Sequence, residues 1–214
     1  MLSRIMLVRR PPAPLGRHAG FTLIELLVAL TLLALLLTLA APSFAQWLAN
    51  ARIRTTADAL MTDLQFAKSE AVRRNTLVRF QLVDTLDATC ALTNSSTNWV
   101  INLDPGINGN AVVGLCASAA SDTVAPFILR ARVGAEGQSD TLQVTATGEG
   151  SFLFNGLGQA IRLGNGGQFD ISAPLAGACA AAGGELNCLR VVVAPSGQIR
   201  SCNPRFAPPD ARAC

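Results

Sequence analysis

The sequence predicts an α+β fold: a long N-terminal helix, apolar enough in its first half to span a membrane, packed in its second half on a C-terminal antiparallel β-sheet domain. Three observations predict it. Residues 21–41 (FTLIELLVALTLLALLLTLAA) are apolar except for Thr22, Glu25, Thr31 and Thr38. Leu60, Leu64, Ala67 and Ala71 then follow i, i+4, i+7, i+11 spacing, the stripe of a helix with one buried face. Beyond residue 76, short runs of strand-favouring residues alternate with clusters of Gly, Asn, Pro and Asp, the pattern of hairpins and loops.

The first element, residues 1–20, holds Arg4, Arg9, Arg10 and Arg17, the single histidine (His18) and no acid. Losing those four arginines turns the net +3 of the 214-residue chain into −1, so overall charge is no ground for nucleic-acid binding. Half the residues are hydrophobic and 14% are charged, which excludes a disordered polyelectrolyte. The 21 residues that follow make a helix of about 30 Å, the thickness of a hydrocarbon core. By the positive-inside bias the arginines keep the N-terminal end cytoplasmic and the C-terminal bulk exported. A secretory signal would be cut after the apolar run at Ala40-Ala41, and Pro42 disfavours that cut. Glu25 is the odd residue, because a carboxylate within a bilayer is costly unless it lies near an interface or meets a partner. Pro42 places a bend at the end of the run.

Residues 42–75 continue as an amphipathic helix, with Asp58, Asp63, Lys68, Arg73 and Arg74 mostly off the apolar stripe. It stops near Arg74-Asn75, where basic residues suit the C-terminal dipole and asparagine tolerates a cap conformation. Residues 76–214 form the β-rich domain. The strands expected are Leu77–Val83, Trp99–Leu103, Phe127–Arg132, Thr141–Thr145, Ser151–Phe154, Ala160–Leu163, Phe169–Ser172, Leu189–Val193 and Gln198–Ser201. In the first of these, Val78, Phe80 and Leu82 alternate with Arg79 and Gln81, as on a half-buried strand.

Gly20-Phe21-Thr22-Leu23-Ile24-Glu25-Leu26-Leu27-Val28 resembles the prepilin motif of type IV pilins and type II secretion pseudopilins. The segments Ala57–Leu60, Asp63-Leu64 and Ala67–Arg74 resemble the helix of the GspH/FimT group. Phe154-Asn155-Gly156-Leu157-Gly158 is similar to that group's central β-turn, and Val191–Arg200 to its final hairpin. Residues 84–140 carry no such likeness and read as a variable, loop-bearing insert. The resemblance implies a pilin-like fold and cleavage after Gly20 by prepilin peptidase. It further implies N-methylation of Phe21, retention of residues 21–41 as anchor and filament core, and pairing of Glu25 with the Phe21 amine of a neighbouring subunit. Implied partners are prepilin peptidase, other minor and major pilins or pseudopilins, and the inner membrane. Implied localisation is single-pass with a periplasmic C-terminal domain, then the pilus or pseudopilus.

Six cysteines, Cys90, Cys116, Cys179, Cys188, Cys202 and Cys214, all follow the apolar run, an even number suited to an oxidising compartment. Fifteen connectivities are open, and sequence neighbours suggest Cys90–Cys116, Cys179–Cys188 and Cys202–Cys214. No CxxC pair and no histidine after His18 support a metal site, so none is expected. The same lack of histidine removes Ser-His-Asp, Cys-His and histidine acid–base schemes, and no catalytic residue or cofactor is expected. Asp84 and Asp87 sit in a loop-like stretch and read as solvated. Asp104–Gly109 has Gly106 and Leu115 where a calcium loop needs ligands, so it reads as a turn. Gly156-Leu157-Gly158 precedes a strand rather than a helix and is no dinucleotide fingerprint.

Residues 186–214 hold Arg190, Arg200, Arg205 and Arg212 against the single acid Asp210. Clustered arginines can neutralise phosphates and bind DNA in a salt-sensitive, sequence-independent way. Gly197-Gln198-Ile199-Arg200 resembles the Gly-Arg-x-Arg segment by which FimT-type minor pilins contact DNA in natural transformation, with Gln198 in place of the first arginine. The resemblance implies DNA contact through Gly197 and Arg200, with Arg205 and Arg212 supplying further charge. The function expected is therefore a type IV minor pilin of the FimT kind, with a GspH-like minor pseudopilin of type II secretion as the alternative. A membrane-anchored hydrolase is disfavoured by the missing histidines.

Overall fold

The computed structural model describes residues 20–104, 112–133, 141–148, 150–162 and 167–214. The leader arginines, His18 and Asn108 lie outside the described residues, as does the side chain of Pro42 with its expected bend. The chain divides into two units, Met1–Pro42 and Ser43–Cys214, and helix α1 (Leu23–Arg74) runs through both.

In the first unit α1 starts for a local reason. The Thr22 hydroxyl accepts a hydrogen bond from the Glu25 backbone N–H at 3.2 Å, the arrangement of an N-cap. Glu25 thus sits in the first turn, where the helix dipole favours a carboxylate. Farther on, the Thr31 and Thr38 hydroxyls donate to the carbonyls of Val28 and Leu35, so their polar atoms are satisfied within the helix. Divided between Thr38 and Ser43, neither half of α1 alone is long and apolar enough to cross a membrane, and the pair reaches that threshold by length and composition only.

The second unit carries the sheets. The nine expected strands all form, each end within two residues of its predicted place: β1 (Val78–Val83), β2 (Asn98–Leu103), β3 (Ile128–Val133), β4 (Gln143–Ala146), β5 (Ser151–Phe154), β6 (Ala160–Arg162), β7 (Gln168–Ser172), β8 (Leu189–Val193) and β9 (Ile199–Cys202). One antiparallel sheet has the order β3-β2-β1-β5-β6 and the other β4-β7-β8-β9. α1 ends where expected, with Asn75 left-handed (φ 49°). The Thr76 and Asn75 N–H groups donate to the Ala71 and Val72 carbonyls at 3.2 and 3.3 Å, the paired bonds of a Schellman cap.

Ala49, Ile53, Ala57, Leu60, Leu64, Ala67 and Ala71 form the buried stripe of α1. Four of the seven are alanine, so the sheets supply the bulk: Phe80, Trp99, Phe152, Phe154 and Phe169. Phe152 stands 5.3–5.7 Å from the rings of Phe80, Phe154 and Phe169. Burying each ring contributes about 2–3 kcal/mol. This core draws on both sheets and holds them on the helix.

The structure corrects four expectations. β1 is buried on both faces, not one. Val78, Phe80 and Leu82 join the helix core, while Val83 joins a second cluster with Cys90, Val100, Val112, Cys116 and Ile128. On that second face Arg79 pairs with Asp104, its Nε donating at 2.9 Å, and the Gln81 amide donates to Asn102 at 2.8 Å. Asp104 is thus a buried partner, while the rest of the expected turn, residues 105–109, lies outside the described residues. The stretch 84–140 is not merely a loop-bearing insert, since β2 and β3 complete the first sheet and the residues around Cys90 and Cys116 pack on its outer face. Asp63 is fully buried, although it lies off the apolar stripe. Lys68, also placed off the stripe, is part-buried and bonded. Asp84 and Asp87 are exposed as expected, yet both order their loop by accepting backbone N–H bonds from Ala91 and Thr89 at 2.7 Å.

Candidate functional site

The residues singled out from sequence fall in two places, one in each unit. At the N-terminal end Gly20 is exposed, with nothing within 4 Å of where a Cβ would stand. Phe21 is 84% exposed, and Leu23, Ile24, Leu26 and Leu27 follow it in the open. A helix apolar on every side is the signature of a surface that something else must cover.

At the C-terminal end the basic residues do not form one cluster. Gly197 lies buried in the turn between β8 and β9, with φ +76°. Its carbonyl accepts the Lys68 ammonium of α1 at 3.0 Å, and a Cβ there would overlap the Gly158 carbonyl oxygen. Gly158, itself at φ +75°, belongs to the β5–β6 turn, which Asn155 closes by accepting from the N–H groups of Leu157 and Gln159. Ala160 N–H donates to the Pro195 carbonyl at 3.1 Å. Two turns and one lysine thus join the two sheets and the helix, and Gly197 is needed there for close approach. Gly197→Ala is expected to cost about 2 kcal/mol or more. The check is thermal melting beside Gln198→Arg, which changes an exposed position and should leave Tm unchanged. Equal Tm values for both variants would refute the close-approach role.

Arg200, Arg205 and Arg212 gather instead at the loop closed by Cys202–Cys214. The Arg200 guanidinium donates to the carbonyls of Ala213 and Cys214 at 3.3 Å each. Arg212 pairs with Asp210 at 2.9 Å and stacks 3.9 Å over the Phe206 ring. Hydrogen bonds from the Arg212 side chain and backbone hold the Asp210 carboxyl down at about 2, so this pair persists until pH falls through that value. Arg205 is exposed and makes no ion pair among the described residues. Arg190, also counted in the basic segment, is occupied by Asp170 at 2.7 Å. The local charge is real, but much of it is already answered.

The structure pairs the cysteines as sequence neighbours: Cys90–Cys116, Cys179–Cys188 and Cys202–Cys214. Among the described residues no group of three His, Cys, Asp or Glu is placed to hold a metal ion.

Sequence reasoning set Lys68 off the apolar stripe and missed its role, although it stands four residues after Leu64 on the same helix face. It also passed over Phe44 and Trp47, an i, i+3 aromatic pair just beyond the apolar run. Their rings lie 5.8 Å apart, and the residues are 62% and 63% exposed. Thr22 and Glu25 have the T-x-x-E spacing of a capping box, another local signal.

Comparison with known families matches residues 56–197 to the model described as type II transport protein GspH. Residues 15–41 match the prokaryotic N-terminal methylation motif. Two crystal structures of the type IV minor pilin FimU from Pseudomonas aeruginosa are similar, at 17% and 19% identity and a TM-score of 0.46. Each covers 73% of this chain, against 97% and 92% of the FimU chains. No curated protein sequence matches.

Proposed function

We propose a function from one premise: this chain belongs to the family described as type II transport protein GspH. It is a minor pilin of a type IV pilus, structural rather than enzymatic. Prepilin peptidase cuts it after Gly20 and the new N-terminus at Phe21 is methylated. Residues 21–41 anchor it in the inner membrane until it enters the filament beside other pilins, with Glu25 meeting the Phe21 amine of a neighbour. The observation that carries this reading is the union, in one chain, of an N-terminal methylation motif at 15–41 with a GspH domain at 56–197. The exposed apolar faces of α1 support it, because such a surface needs lipid or neighbouring helices around it.

The alternative is a minor pseudopilin of the type II secretion machine, and the methylation motif suits both. The disulfide-closed loop with Arg200, Arg205 and Arg212 favours the pilus, where an exposed cationic surface can meet DNA. Because Arg200 and Arg212 are internally engaged, Arg205 is the arginine whose loss should weaken DNA binding most. A deletion strain scored together for twitching, transformation and exoprotein secretion tests the reading. Loss of twitching and transformation with secretion intact is expected, and loss of secretion alone would replace it with the pseudopilin. Mass spectrometry of the membrane-bound chain should show an N-terminus at methyl-Phe21, abolished by Gly20→Asp.

A further inference from the structure

A groove of about 830 Å³ runs between the helix residues Trp47–Thr55 and the loop closed by Cys202–Cys214. Trp47, Asn50, Arg54, Phe206 and Arg212 line it. Asn50 Oδ1 accepts the Asn187 N–H at 2.8 Å, which fixes the wall opposite the loop. Arg212 is shared with Asp210 and Phe206, whereas Arg54 is exposed and makes no ion pair among the described residues.

We propose that this groove docks on the bilayer surface, with Arg54 and Arg212 on the phosphate of an anionic phospholipid and Phe44 and Trp47 at the boundary between headgroups and acyl chains. The proposal rests on the membrane-anchor reading above and deepens it. Four observations carry it. Phe44 and Trp47 form an exposed aromatic pair, in contact with each other and with no cover among the described residues. The Trp47 indole, apolar in body and polar at its N–H edge, favours the membrane interface, and Phe44 packs beside it. Trp47 follows residue 41 by six positions, so whatever path the chain takes it lies no more than roughly 22 Å from the end of the apolar run. No acid occurs between Glu25 and Asp58, while Arg52 and Arg54 lie within two helical turns of Trp47. A guanidinium is a bidentate phosphate binder, so arginines near an interfacial aromatic suit contact with a lipid phosphate, most strongly where the headgroup carries no cation of its own. A duplex nucleic acid would use the arginines but gives no reason for exposed Phe44 and Trp47 beside an apolar helix.

The test uses the full-length chain in vesicles that mix phosphatidylcholine with phosphatidylglycerol. Trp99 is buried, so the difference between wild type and Trp47→Phe isolates the emission of Trp47. In vesicles that emission should shift to the blue and lose most of its quenching by aqueous acrylamide. It should also be quenched about fivefold more by brominated phosphatidylglycerol than by brominated phosphatidylcholine at equal mole fraction, and Arg54→Gln should remove that preference. A chain that floats with the vesicles while Trp47 stays open to acrylamide overturns this proposal alone. A chain that does not float with the vesicles overturns the anchor reading too. Protection of Trp47 by a DNA duplex in detergent, without any dependence on lipid charge, would overturn the proposal in favour of DNA. Soluble glycerophosphate protecting Trp47 as well as vesicles do would overturn it in favour of a free phosphate site.

Discussion

Asp63→Ala is expected to lower the stability of the folded domain by about 3–4 kcal/mol, near the lower end of the range for breaking a buried ion pair. Asp63 has no exposed surface, yet three groups converge on it. The Trp99 indole N–H donates at 2.8 Å, Arg130 at 2.6 Å and Arg132 at 3.2 Å. These tie α1 to β2 and to β3, which is an edge strand of the first sheet. Removing the carboxylate leaves a buried indole N–H without an acceptor and a small cavity beside it. The arginines partly recover, because their side chains are 39% and 43% exposed and can be rehydrated. Arg130 also keeps its stack 3.9 Å over Phe66. The arginine side of the cycle should behave differently. Arg130→Ala or Arg132→Ala alone leaves one cation on Asp63 and should cost about 1 kcal/mol each. Both together strand a buried carboxylate and should cost clearly more than the sum. Urea unfolding followed by circular dichroism measures all four variants. Additive arginine losses, or an Asp63→Ala cost under about 1 kcal/mol, would show that the network does not hold the edge strand.

This network also marks the limit of what the sequence discloses. The stripe Leu60, Leu64, Ala67, Ala71 is readable because helix periodicity is local, and all four positions are buried. Asp63 is off that stripe, and its burial depends on Trp99, Arg130 and Arg132, which only the register of β1, β2 and β3 brings to it. The strands were readable for a similar reason, since Gly, Pro and Asn punctuate them where the turns fall. How many faces of a strand are buried was not. Alternation in β1 correctly placed Val78, Phe80 and Leu82 inside, but whether Arg79 and Gln81 meet water depends on a loop that returns from residue 84 onward to cover them. The N-terminal motif was legible as a word of nine residues, while its partners are other molecules. The C-terminal charge was legible as composition, yet its availability was not. Arg190 is answered by Asp170, twenty residues away, through the β7–β8 pairing. Gly197 stood out through the likeness of Gly197–Arg200 to a Gly-Arg-x-Arg segment. Its conformation and burial against the Gly158 turn come from a contact between two distant hairpins.

Replacing Cys90 and Cys116 together with alanine is expected to cost the folded domain roughly 3.5 kcal/mol from loop closure, with about 1 kcal/mol more from lost packing. The bond spans 26 residues, the longest separation of the three. Both sulfurs sit in the second hydrophobic cluster, where Cys90 and Cys116 are 1% and 3% exposed. That cluster is small, so apolar contact alone holds the segments around Cys90 and Cys116 on it only weakly against chain entropy. Without the cross-link the cover over Val83 and Val100 loosens, and water gains access to the face bearing the Arg79–Asp104 pair. Cys202–Cys214 makes an instructive contrast. Its 12-residue separation predicts roughly 2.8 kcal/mol by the same arithmetic. Yet Arg205, Ala207, Pro208 and Pro209 in its loop are exposed, and the loop can open without disturbing the core. Most of that stabilisation is therefore local, and Cys202→Ala with Cys214→Ala should shift the global unfolding midpoint little. It should instead speed hydrogen exchange at Asn203 and Phe206, whose N–H groups are bonded within the loop. Guanidinium midpoints for the two double variants, read beside exchange rates in β1 and in the C-terminal loop, separate the cases. Equal midpoint shifts would mean that the C-terminal loop unfolds with the core, and then its arginines would be held as rigidly as the sheets.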